Sequence, residues 1–147
     1  MLDWSRLFPA VDEDYVGPRV PYYFLILAAT ISTVRSLIHM LAADAGAGSI
    51  AGLDVNVQGG VNIIAIFAQW GAIQLILALL YWLTILRYRV LVPAMLAIVV
   101  LEQVLRLGLG RFKPLEVAGA PPGAAGSLLL LPLAVVAFLW SLRRSSE

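Results

Sequence analysis

The sequence predicts an all-α protein: a four-helix transmembrane bundle with both termini cytoplasmic. Three observations predict it. Hydrophobic residues make up 61% of the 147, with a mean hydropathy of +0.91, more apolar surface than a water-soluble core absorbs. Those residues gather into four long stretches. The basic residues fall unevenly between the connections that join them.

The predicted spans are residues 22–42, 61–86, 90–108 and 126–142. Each approaches or exceeds the roughly 20 residues a helix needs to cross hydrocarbon. The first carries Arg35 and His39 and follows about twenty residues that include Asp12, Glu13 and Asp14. A cleaved signal peptide opens with a basic region instead, so this span is read as retained. The second is long enough to tilt. Pro93 falls in the first turn of the third, where a missing N–H costs little. Pro132 falls inside the fourth, where a kink is expected and neighbouring helices tolerate it. Residues 1–147 read as one transmembrane domain.

Orientation follows from the basic residues. Four spans put both termini on one side, together with Arg6, Arg19, Arg87, Arg89, Arg143 and Arg144. The other side holds Arg111 and Lys113, and the connection over residues 44–60 has Asp44 and Asp54 but no basic residue. The positive-inside rule therefore assigns the termini to the cytoplasm, and Tyr22, Tyr23, Tyr81, Trp82 and Trp140 fall at the same ends. In residues 1–9, Trp4, Leu7 and Phe8 share a helical face that suits the membrane interface; a disordered terminus is the plainer alternative. The connection over residues 110–126 contains Pro121-Pro122-Gly123, a rigid turn. Ala65, Ala68, Gly71 and Ala72 recur along the second span, and Ala68 and Ala72 have the small-xxx-small spacing of close helix packing. No heptad array is evident.

Composition excludes several functions. There is no basic stripe for nucleic acid. The absence of cysteine removes thiolate chemistry, and one histidine cannot form a multi-histidine metal centre within a chain. No cofactor is expected.

The informative residues are the polar ones inside the spans: Arg35, His39, Asn62, Gln69, Glu102, Gln103 and Arg106. Ionisable groups in a bilayer are expensive and call for named partners. At about 1.5 Å per residue, Arg35 lies about 20 Å and His39 about 25 Å along the first span. Glu102 lies about 18 Å and Arg106 about 24 Å along the third, and Gln69 about 12 Å below the outer edge. Ser32, Arg35, Ser36 and His39 form one helical stripe. Glu102 and Arg106 are i, i+4 with the acid first, the better order for a helical ion pair. Asn62 and Gln69 share a face. The simplest packing pairs Arg35 with Glu102, sets Gln69 beside them, and places His39 and Arg106 above. Three readings stay open: a cluster that only holds the bundle together, a pocket for an anionic or hydroxylated head group, and an enzyme using His39 and Glu102 as acid and base.

Four short motifs carry a resemblance: Phe67-Ala68-Gln69-Trp70-Gly71; Arg87-Tyr88-Arg89 followed by Val92-Pro93; Leu101-Glu102-Gln103; and Pro121-Pro122-Gly123-Ala124. Over about residues 15–142 the chain resembles an uncharacterised family of small bacterial four-helix integral membrane proteins. In architecture it is also similar to DoxX-like and EXPERA four-helix proteins, the latter including sterol-isomerase relatives, though none of their catalytic residues can be matched here. The resemblance implies a bacterial inner (cytoplasmic) membrane and a lipid- or isoprenoid-related or accessory role. The expectation is a non-enzymatic membrane protein that binds a lipid-like ligand or serves as an accessory or scaffold subunit. Its expected partners are membrane lipids and either further copies of itself or a larger membrane complex, with no nucleic acid. The alternative is a membrane-embedded enzyme acting on a lipid or isoprenoid through His39 and Glu102.

Overall fold

The computed structural model describes residues 13–117 and 122–144. The described residues are helical with no strand. They form α1 (Arg19–Leu41), α2 (Gly60–Leu86), α3 (Val92–Phe112) and α4 (Pro122–Ser141), with a short 3-10 turn over Arg89–Leu91 ahead of α3. All four helices are long and apolar enough to cross a membrane. The expected features over residues 1–9 and at Pro121 lie outside the described residues, wholly or in part.

The helices run further than the sequence suggests, for local reasons. α1 begins at Arg19, ahead of Pro21; the first-turn N–H groups of a helix have no intrahelical partner, so proline is admitted there. α3 continues through Gly108 and Gly110 to Phe112 and ends where Lys113 leaves helical geometry, the residue before Pro114 being disfavoured in the helical region. α4 starts at Pro122, four residues before the expected position, and continues through Pro132, which is exposed.

The helices pair as two hairpins. α1 packs most extensively on α2, and α3 on α4. The hairpins meet through narrower α1–α4, α1–α3 and α2–α3 seams, and α2 and α4 make no close approach among the described residues. The core gathers Leu25, Ala28 and Ala29 of α1, Tyr81 and Ile85 of α2, Val92, Leu96 and Val99 of α3, and Ala134 and Ala137 of α4.

The buried positions follow a spacing that the sequence pattern does not display. On α2 they include Gly71, Gln74, Ala78, Tyr81 and Ile85, and on α3 Val92, Leu96, Val99 and Gln103. Spacings of three and four in alternation are the seam of a left-handed helix pair. The lipid-facing positions are as apolar as the seam, so the repeat has no contrast in sequence.

Close approach of α1 and α2 depends on Gly71. A Cβ there would lie 2.6 Å from the His39 Cβ and 3.0 Å from the Ser36 carbonyl oxygen. Ala68 and Ala72, half-buried, flank this contact. At the other end of α2, the Ile85 carbonyl accepts from the Tyr22 hydroxyl at 3.3 Å and from Arg89 Nε at 3.4 Å, satisfying one of the free carbonyls of a helix C-terminus. The Arg89 guanidinium also lies over the Tyr22 ring at 5.5 Å.

Gly71→Leu is expected to destabilise the fold by about 3 kcal/mol through overpacking. Gly108→Leu, where a Cβ meets nothing within 4 Å, is expected to stay within about 0.5 kcal/mol of the parent. Reversible denaturation in detergent compares the two.

Candidate functional site

The site is built on one carboxylate oxygen. Glu102 Oε1 on α3 accepts from Arg35 Nη2 of α1 at 3.0 Å, from Gln74 Nε2 of α2 at 3.1 Å and from Arg106 Nη2, one turn along α3, at 2.7 Å. Three helices of both hairpins meet there. The side chains are mostly enclosed, with 26% of Arg35, 19% of Arg106 and 15% of Glu102 exposed. Charge-assisted bonds of this kind are the strong class. Removing one partner of a buried pair strands the other charge and costs about 3–5 kcal/mol.

Aromatic rings cover the cluster. The Trp70 ring centre lies 5.2 Å from the Arg106 Cζ and 5.7 Å from the Arg35 Cζ, within cation–π range of both. His39 stacks on Trp70 at 4.9 Å with a tilt of 35°, and Phe67 stands edge-on to both rings at 5.7 and 5.8 Å. Trp70 and Gln74 are not among the polar candidates that the sequence brings forward, and Tyr81, expected with the aromatics at the cytoplasmic ends of the spans, instead packs in the core two turns beyond Gln74. Tyr81 is fully buried and within electrostatic range of Arg35 and Glu102.

The connection between α1 and α2 folds over His39. Ala45, Gly46 and Ala47 are buried, and the His39 Nδ1 is 2.7 Å from the Ala45 carbonyl oxygen. Ala45 holds a left-handed backbone, φ 51°, which costs a non-glycine residue about 1–2 kcal/mol. Asp44 braces the turn: its carboxylate accepts from the Gly46 amide at 2.9 Å and the Ser49 amide at 2.6 Å. These bonds, Ser49 first, hold its carboxyl down at about 2. Asp54 accepts from the Asn56 amide at 2.9 Å. Both acids therefore organise loop backbone.

The structure thus brings together Arg35, Glu102 and Arg106, with His39 beside them under Trp70. Gln103 is buried on the α3 seam. Gln69 and Asn62 are exposed. The neighbour expected at Gln69 is Gln74. Five residues turn a helix by roughly 140° beyond a full turn, and only Gln74 falls on the seam with Gly71 and Ala78. His39 and Glu102, the candidate acid and base, take different partners: a loop carbonyl for one, three N–H donors for the other.

Four buried polar atoms have no hydrogen-bond partner among the described residues: Arg35 Nε, Arg106 Nε, Gln74 Oε1 and the Tyr81 hydroxyl. A separate open cleft of about 550 Å³ lies at the far end, lined by Asp14, Tyr15, Arg19, Tyr22, Tyr23 and Arg89 among others. It does not reach the cluster.

Helix length and composition mark the chain as a multi-pass membrane protein, and the cluster defines it further as one with ionised groups enclosed between its helices. No family model matches the chain, and neither a curated protein nor a solved structure shows significant similarity to it.

Replacing Glu102 by Met alone is expected to destabilise the fold by about 3–5 kcal/mol, because two guanidinium groups lose their counter-charge. Arg35→Met, Glu102→Met and Arg106→Met together are expected to recover most of that loss. Denaturation of the single and triple variants in one detergent decides it.

Proposed function

We propose that this chain is a non-enzymatic protein of the bacterial cytoplasmic membrane, with both termini inside, that holds a lipid-like molecule at the seam between its hairpins. One observation carries the reading. A charged cluster with unsatisfied polar atoms sits between the two helix hairpins, partly open at Arg35 and Arg106 and with apolar helix faces around it. Polar anchors beside apolar walls suit a molecule with a head group and a tail. The resemblance to small four-helix membrane proteins agrees with a lipid-related role.

Ionisable residues within spans mark functional sites by default, and a bonded set can also be structural. The triple methionine variant separates the two roles. Native mass spectrometry of the protein released gently from its own membrane is expected to find one bound lipid per chain. The triple variant is expected to fold and to carry none. A folded triple variant with the same lipid would assign the cluster to structure alone.

The orientation has its own test. A cysteine at Gly52, exposed in the α1–α2 connection, is expected to react with an impermeant reagent added outside intact cells, and one at Arg144 only after lysis. The reverse pattern would invert the topology.

A further inference from the structure

The enclosed charges do not balance. Arg35 and Arg106 contribute two positive charges and Glu102 one negative. The other ionisable groups nearby have their own roles. His39 is bonded to the loop carbonyl and stacked on Trp70, the Asp44 carboxylate is engaged by the Gly46 and Ser49 amides, and the Tyr81 phenol is buried. One positive charge remains in excess, and an uncompensated charge in an apolar medium is strongly unfavourable. The hydrogen bonds are unbalanced in the same sense. Of the four unpartnered atoms, Arg35 Nε, Arg106 Nε and the Tyr81 hydroxyl can donate, while Gln74 Oε1 can only accept. A cation would worsen both imbalances, and a neutral polyol, whose hydroxyl oxygens can accept, would still leave the charge uncorrected. An oxyanion corrects the charge, and its oxygens can only accept.

Resting on the lipid-binding reading above, we propose that the occupant is a phosphodiester lipid whose head group has a net charge of minus one, docked against the partly exposed Arg35 and Arg106 side chains. Access is lateral. Both arginines are partly exposed, and large apolar side chains exposed on the same two helices, Leu37 and Ile38 of α1 and Leu101 and Leu105 of α3, offer acyl chains a surface to lie against. The two arginines differ in role. Arg35 joins α1 to α3 and ties one hairpin to the other, whereas Arg106 shares its helix with Glu102 and supplies the surplus charge. Removing Arg106 leaves a neutral Arg35–Glu102–Gln74 tie.

The experiment is native mass spectrometry of the detergent-purified chain offered equimolar phosphatidylglycerol and phosphatidylcholine. The parent is expected to retain one phosphatidylglycerol per chain. Arg106→Gln is expected to cut the preference roughly fivefold, the worth of one arginine at an anionic head group. Arg106→Lys is expected to keep it. Equal retention of the two lipids by the parent would overturn the anion assignment and leave the lipid-binding reading standing. Retention of neither would overturn both. Dimethyl phosphate, a singly charged phosphodiester without acyl chains, is expected to compete poorly; equal competition would assign the anion to a soluble source and overturn the amphiphile.

Discussion

One carboxylate oxygen joins the two halves of this protein. Between helices already in lipid there is no hydrophobic force to press them together, so association rests on close packing and on polar bonds. Within each hairpin, packing is extensive. Between hairpins the contacts are sparse, and there Glu102 accepts from α1, from α2 and from its own helix. The aromatic cover depends on this arrangement and on Gly71. The glycine lets α1 and α2 approach closely enough for Trp70 to lie over both guanidinium groups while His39 stacks on it.

The spans and the charged residues were legible in the sequence because each stands out from its background. Long apolar runs have few alternatives in a short chain, and arginine or glutamate inside one is conspicuous. The azimuth of each side chain was not legible. In a soluble helix the polar face shows which side is buried, but here the lipid face is as apolar as the core. Gln69 and Gln74 look equivalent in such a background, and only the seam through Gly71, Ala78 and Tyr81 distinguishes them. The role of Trp70 over the cluster was hidden for the same reason, since tryptophan is unremarkable in a span. The sequence signal that could have found it was its place directly before the small residue Gly71. Helix starts at Arg19 and Pro122 were obscured by prolines that interrupt a hydropathy pattern without interrupting a first helical turn.

His39 shows how packing changes the meaning of a residue. From sequence it is the one side chain suited to proton transfer near neutral pH. In the structure it joins the C-terminal end of α1 to the loop, with Ala45 held in an unfavourable backbone conformation to present its carbonyl. Such strain persists only where the surroundings over-determine it. Here the surroundings are the Asp44 turn on one side and the Trp70–Phe67 pair on the other. The loop and the cluster therefore share a wall, and a change in either reaches the other through one imidazole.

The Arg35–Glu102 contact also orders events in time. The two residues are 67 apart in the chain, and at about 5–20 residues per second that gap takes roughly 3–13 s to synthesise. Throughout it, α1 carries an arginine whose carboxylate does not yet exist. Arg35 stands six residues from the end of α1, close enough for its long side chain to reach up to the nearer aqueous face. Gln74 emerges next and offers no charge. When α3 follows, it brings the carboxylate that Arg35 reaches at 3.0 Å, and the two hairpins become tied through that contact.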